Sequence, residues 1–271
     1  MASGKPRIGI SSCLLGQQVR YDGGHKRDRC LTQTLGRFVE WVPVCPEVEV
    51  GMGVPRERVR LVGSARQPRM IGEQSGKDWT AAMQRYAQAR VAQLAPLRLS
   101  GYVLKSKSPS CGMERVRVYG RSGVVVGSGR GLFAIALTVA YPLLPVEEEG
   151  RLGDPALCGH FIERAFAYQQ WQALVSGAAS LHTLVAFHAS HKLLIMTHSE
   201  GHMRRLGRLV AEANSRPLRV VLEEYGRCFM DALQRCGRPR ASRRTRSTYA
   251  RRSLRSPRAG GSGRAVAGDP R

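Results

Sequence analysis

An α/β layered domain with a mostly parallel sheet, followed by an all-α domain and a disordered basic tail, is the architecture these 271 residues predict. Three observations carry that expectation. Up to about residue 150, short apolar runs with strand character alternate with stretches of helical spacing. From about residue 154 only helical periodicity is found. Beyond residue 235 periodicity stops and the composition turns to Arg, Ser, Gly and Pro.

The elements follow in order. Residues 8–11 (IGIS) read as a first strand, 30–39 as a helix, and 41–44 (WVPV) as a second strand. Residues 78–97 have helical spacing, with Asp78 placed to cap them. A third strand is expected at 101–105 (GYVLK). The segments 116–119 and 124–126 flank YGRSG, a hairpin-like signal, and a helix follows over 132–140. Asp154 before Pro155 is a cap followed by a first-turn proline. Helices are then expected over 155–176, 180–198, 200–214 and 217–235. This divides the chain into 5–150, 154–235 and a tail, 236–271.

Composition narrows the function classes. The chain is 42% apolar and 23% charged, as soluble globular proteins are. The uncharged stretch at 132–144 is too short to span a bilayer, and MASGKPRIGIS lacks the long apolar region of a secretory signal. A cytoplasmic protein with no membrane partner is therefore expected. Seven cysteines there imply free thiols or metal ligands rather than a disulfide framework. Net charge is +23, of which +10 lies in the tail, where eleven arginines face one acidic residue, Asp269. That tail reads either as a basic nucleic-acid arm or as an out-of-frame stretch replacing a further helix.

Three cysteines occupy marked positions. Cys13 follows the first strand, Cys45 the second, and Cys111 lies in KSKSPSCGM behind the third. Ligands of open α/β sheets bind beyond the carboxyl ends of the strands, so three sulfurs could meet in one crevice. Proline or glycine beside Cys45 and Cys111 fixes turns there. The spacing is not that of a zinc knuckle. Three thiolates drawn from distant segments suit a metal centre with an open coordination position. GSGRG (127–131) lacks the full phosphate-loop pattern and reads as a tight turn. His188, His191, His198 and His202 read as packing or surface histidines, and Cys30, Cys158 and Cys228 as core.

The motifs SSCLLGQQVRYDGGHK, VCPEVEVGMGVPRERVRLV and LKSKSPSCGM resemble the family catalogued as domain of unknown function 523, whose characterised branch is the thiouracil desulfurases. The resemblance covers about residues 5–150. The helical half is similar to the YbgA-like domain often fused behind it, chiefly through FHASHKLLIMTHS (187–199). The resemblance implies a 4Fe–4S cluster held by Cys13, Cys45 and Cys111, and a small thiolated nucleobase or related thioamide as substrate. Its open iron would act as a Lewis acid toward the thiocarbonyl sulfur, so that C=S is replaced by C=O without electron flow. Water must lose a proton and the ring nitrogen gain one. The resemblance points to Glu47 as general base or proton shuttle and to Ser108 as the residue positioning substrate or water. Asp22, Lys105 and Ser110 are the further substrate-side candidates. The rival from another class is a metal-stabilised module that binds RNA or tRNA through its basic surface, with no turnover.

Overall fold

A computed structural model describes residues 4–120 and 122–234. Its strands are β1 (Arg7–Ser11), β2 (Glu40–Val44), β3 (Val59–Gly63), β4 (Pro68–Gly72), β5 (Gly101–Leu104), β6 (Val116–Tyr119), β7 (Val125–Gly129) and β8 (Val146–Glu148). Its helices are α1 (Thr80–Leu94), α2 (Leu132–Ala140), α3 (Glu149–Leu152), α4 (Pro155–Ser176), α5 (Leu181–His198), α6 (Glu200–Ala211) and α7 (Leu218–Gln234).

The first sheet has the order β2-β1-β5-β8 and is parallel throughout. Such a sheet must be covered on both faces, and its central strands β1 and β5 are accordingly buried and largely apolar. On one side Val91 and Leu94 of α1 and Phe133 and Leu137 of α2 pack against Tyr102 and Leu104. On the other, Ile8, Ile10 and Val103 meet Leu31, Leu35 and, from the helical half, Phe161 and Ala165 of α4. Ile8 and Ile10 are fully buried, each worth about 1.5–3 kcal/mol of transfer free energy. Gly9 between them is required by close approach: a Cβ there would lie 2.2 Å from the Tyr102 ring. The helical half thus supplies one cover of the sheet.

The second sheet, β4-β3-β6-β7, is mixed: β3 pairs antiparallel with β4 and parallel with β6, while β6 pairs antiparallel with β7. Only the β6–β7 hairpin was legible beforehand. In β3 and β4 the inward residues Leu61 and Met70 are fully buried, but intervening arginines hide the apolar face.

One expected element is corrected. Residues 30–39 form no α-helix; Cys30–Thr34 make a π-type turn and Leu35–Arg37 a 3-10 turn. Asp28 Oδ1 accepts the Leu31 N–H at 2.9 Å, tightening the entry. Gly36 then lets the chain press on Trp41, where a Cβ would sit 3.1 Å from the indole nitrogen. The helix expected over 78–97 ends sooner, at Leu94, and continues as a 3-10 turn through Leu97.

In the helical half, Asp154 caps α4 through the Ala156 and Leu157 N–H groups, and Ser180 with Thr183 forms a capping box on α5. Trp171, Phe187, Tyr225 and Phe229 form its aromatic centre, with Trp171 and Tyr225 stacked at 5.4 Å. Among the described residues no helix is long and apolar enough to cross a membrane. The disorder expected for 236–271 lies outside the described residues.

Candidate active site

Because β2, β1 and β5 run side by side in parallel, their carboxyl ends share one edge of the sheet. Cys13 sits in the 3-10 turn Ser12–Leu15 just past β1, Cys45 immediately follows β2, and Cys111 lies in the loop after β5. All three line a single cavity of about 360 Å³. Glu47, Lys105, Ser108 and Ser110 line it too.

Burial pushes the Cys13 thiol up to about 11, helped by the neighbouring Cys45, and the Cys111 thiol up to about 12. Burial also raises Cys45. The protein's own groups therefore hold these sulfurs as thiols at neutral pH, and a cation is what would turn them into thiolates. The Ser110 hydroxyl oxygen lies 3.6 Å from Cys111 Sγ, and the Cys45 thiol points at the Val19 carbonyl at 3.8 Å.

Glu47 is held at both oxygens. Its Oε1 accepts the Ser110 hydroxyl at 2.7 Å and the Ser108 hydroxyl at 3.3 Å, and the two hydroxyls are 2.9 Å apart. Its Oε2 accepts Arg56 Nη2 at 2.6 Å and Nε at 3.2 Å. The Arg56 side chain is only 6% exposed and donates as well to the carbonyls of Val19 and Gly53. One buried guanidinium thus ties the loop behind Cys13 to the loop behind Cys45. Through Glu47 it reaches the serines beside Cys111. A planar fork with five donors can make such a junction; an ammonium could not span it.

The backbone of Cys45 has its own anchor. Its N–H donates to Glu49 Oε1 at 2.9 Å, while Glu49 Oε2 receives the Tyr86 hydroxyl at 2.7 Å and forms an ion pair with Arg90, whose Nε lies 3.0 Å away. The glycine-rich segment before α2 serves the third cysteine. Leu132 and Phe133 N–H groups donate to the Pro109 and Ser110 carbonyls, so the amides that open α2 are occupied by the cysteine loop itself. A Cβ on Gly131 would lie 2.4 Å from the Ser110 carbonyl, which explains the glycine.

Of the residues singled out from sequence, Asp22 alone stands off the cavity. Its carboxylate accepts the Gly24 N–H at 3.1 Å and pairs with Arg20, and that turn hydrogen bond, first among its contacts, lowers its pKa. Arg20, rather than Asp22, reaches the cavity wall. Lys105 lines the wall with its ammonium on Glu149. Sequence reasoning passed over Arg56, Glu49 and Glu149. Arg56 lies inside a quoted motif, but nothing in linear spacing pairs it with Glu47. In the helical half, His188 meets the Tyr225 hydroxyl, His191 the Phe187 carbonyl, His198 Glu163 and His202 Asp231. Among the described residues no three His, Cys, Asp or Glu side chains are grouped closely enough to hold a single metal ion.

Comparison with known proteins adds identity to this geometry. The family model described as 2-thiouracil desulfurase matches residues 8–149. A second, described as a protein of unknown function (DUF1722), matches residues 192–247. The uncharacterized protein YbbK of Bacillus subtilis (strain 168) is 31% identical over 108 residues, 38% of this chain and 71% of that protein. A solved structure described as the 4Fe-4S-dependent thiouracil desulfidase TudS is 33% identical, with a TM-score of 0.47, covering 57% of this chain and 97% of that one.

Proposed function

The chain belongs to the 2-thiouracil desulfurase family, and from that premise we propose that it exchanges sulfur for oxygen on a thiolated pyrimidine held in the cavity at the strand ends. The convergence of Cys13, Cys45 and Cys111 on one cavity carries this reading. The donor set fits a 4Fe–4S cluster, for which thiolates are the usual ligands. When bound, the cluster supplies a Lewis-acidic iron that has no protein ligand and can take a soft thiocarbonyl sulfur.

The rest of the chemistry falls to side chains of the cavity. Water that adds to the thiocarbonyl carbon must give up a proton. Glu47 is the base, and Oε1 is the atom that takes the proton, because Oε2 is committed to Arg56. The hydroxyls of Ser108 and Ser110 touch that same oxygen and each other, so they form a short relay from Glu47 toward the ring nitrogen that must be protonated. Ser108 also accepts the Ser110 and Cys111 N–H groups at 3.3 Å, which fixes its oxygen in the turn and leaves its proton for the relay. Lys105 places a cation on the wall it shares with Cys13, opposing the negative charge that builds up as sulfur departs.

Protein reconstituted with iron and sulfide without oxygen is expected to convert 2-thiouracil to uracil, with one sulfide released per uracil formed. A chain truncated after residue 235 is expected to keep that activity. No turnover in the full chain, alongside salt-sensitive RNA binding that is lost with the tail, would instead favour a binding module.

A further inference from the structure

The run Glu147, Glu148 and Glu149 ends β8 and opens α3, the step from the sheet into the helical half. Two of these carboxylates turn back into the cavity loops. Glu149 accepts the Lys105 ammonium, the Ser106 N–H at 2.7 Å and the Ser106 hydroxyl at 2.8 Å. Glu148 accepts the Met113 N–H at 2.8 Å, two residues past Cys111. Glu147 behaves differently: it pairs with Arg151 at 2.8 Å, whose side chain is 58% exposed. The Lys105 and Glu149 side chains are 21% and 12% exposed, a sheltered setting in which charged hydrogen bonds hold firmly.

The geometry points to Glu149 and Glu148 as positioning residues for the desulfuration cavity, Glu149 acting through Lys105 and Glu148 through the backbone of the Cys111 loop. This rests on reading the cavity as the site of desulfuration. Without Glu149, Lys105 keeps only Ser106 as a partner, and its four-carbon stem no longer has an ionic anchor on the wall. Without Glu148, the chain beyond Cys111 loses the acceptor that fixes its exit. Because β8 and α3 stand just before α4, the same two contacts fix the end of the family-matched segment, residues 8–149, against the cavity loops.

The test compares the full chain with Glu149→Ala, Glu148→Ala, Lys105→Met, the Glu149→Ala/Lys105→Met double variant, and Glu147→Ala as control; alanine removes the acceptor, which glutamine would keep. The first readout, amide hydrogen exchange over residues 105–115, needs no cluster. Exchange is expected to quicken about tenfold at Ser106 in Glu149→Ala and at Met113 in Glu148→Ala, with exchange elsewhere unchanged. In the reconstituted enzyme, Glu149→Ala is expected to lower kcat/KM for 2-thiouracil about tenfold to a hundredfold. The double variant is expected to be no slower than Lys105→Met alone, as follows when one residue acts through the other. Unchanged exchange, additive kinetic losses, or an equal effect of Glu147→Ala would overturn the proposal. A wild-type chain with no cluster and no turnover would refute the desulfuration reading, and the exchange readout would still decide the positioning claim.

Discussion

Alanine at Cys13, Cys45 or Cys111, one position at a time, is expected to strip the bound iron and take thiouracil turnover below detection. Each sulfur comes from a different strand end, and no other described cysteine lines the cavity, so none is placed to substitute. Cys30→Ala, Cys158→Ala and Cys228→Ala are the matching controls. Those residues lie in the Cys30–Thr34 turn, in α4 and in α7, and their loss is expected to cost stability of about 1 kcal/mol while iron and activity remain. Iron analysis and steady-state kinetics on the six variants separate the two groups. Retention of iron and activity by any of the first three would show that its sulfur holds nothing.

Glu47→Gln is the second large effect. The amide keeps the shape of the carboxylate and can still meet Arg56 and the serines, so the loops stay in place. It cannot accept a proton from water. A fall in kcat of about 10²–10⁴-fold with iron content unchanged is therefore expected. A variant within a few-fold of wild type would remove Glu47 from the proton path.

How much of this was legible in the sequence depends on how local each signal is. The three strand ends could be read because each apolar run ends at or ahead of a cysteine, and parallel pairing then brings those ends to one edge. Glu47, Ser108 and Ser110 sit within three residues of those cysteines, so turn geometry carries them along. Asp22 lies inside a marked motif but farther from its cysteine, and it serves its own turn through Gly24. Arg56, Glu148 and Glu149 were not legible, since each acts across a long stretch of chain: Glu149 reaches Lys105 from 44 residues away. The second sheet was half hidden for a simpler reason. Arginines alternate with the buried residues of β3 and β4, and their charge masks a strand pattern that only pairing makes clear. The segment at 30–39 had helical composition, and packing on Trp41 through Gly36 decided otherwise.

Iron and acid-labile sulfide, counted on protein prepared without oxygen, test most directly whether three sulfurs remote along the chain grip one inorganic centre. About four of each per chain is the expected result. Full desulfurase activity in protein holding a single zinc, or no metal at all, would contradict it.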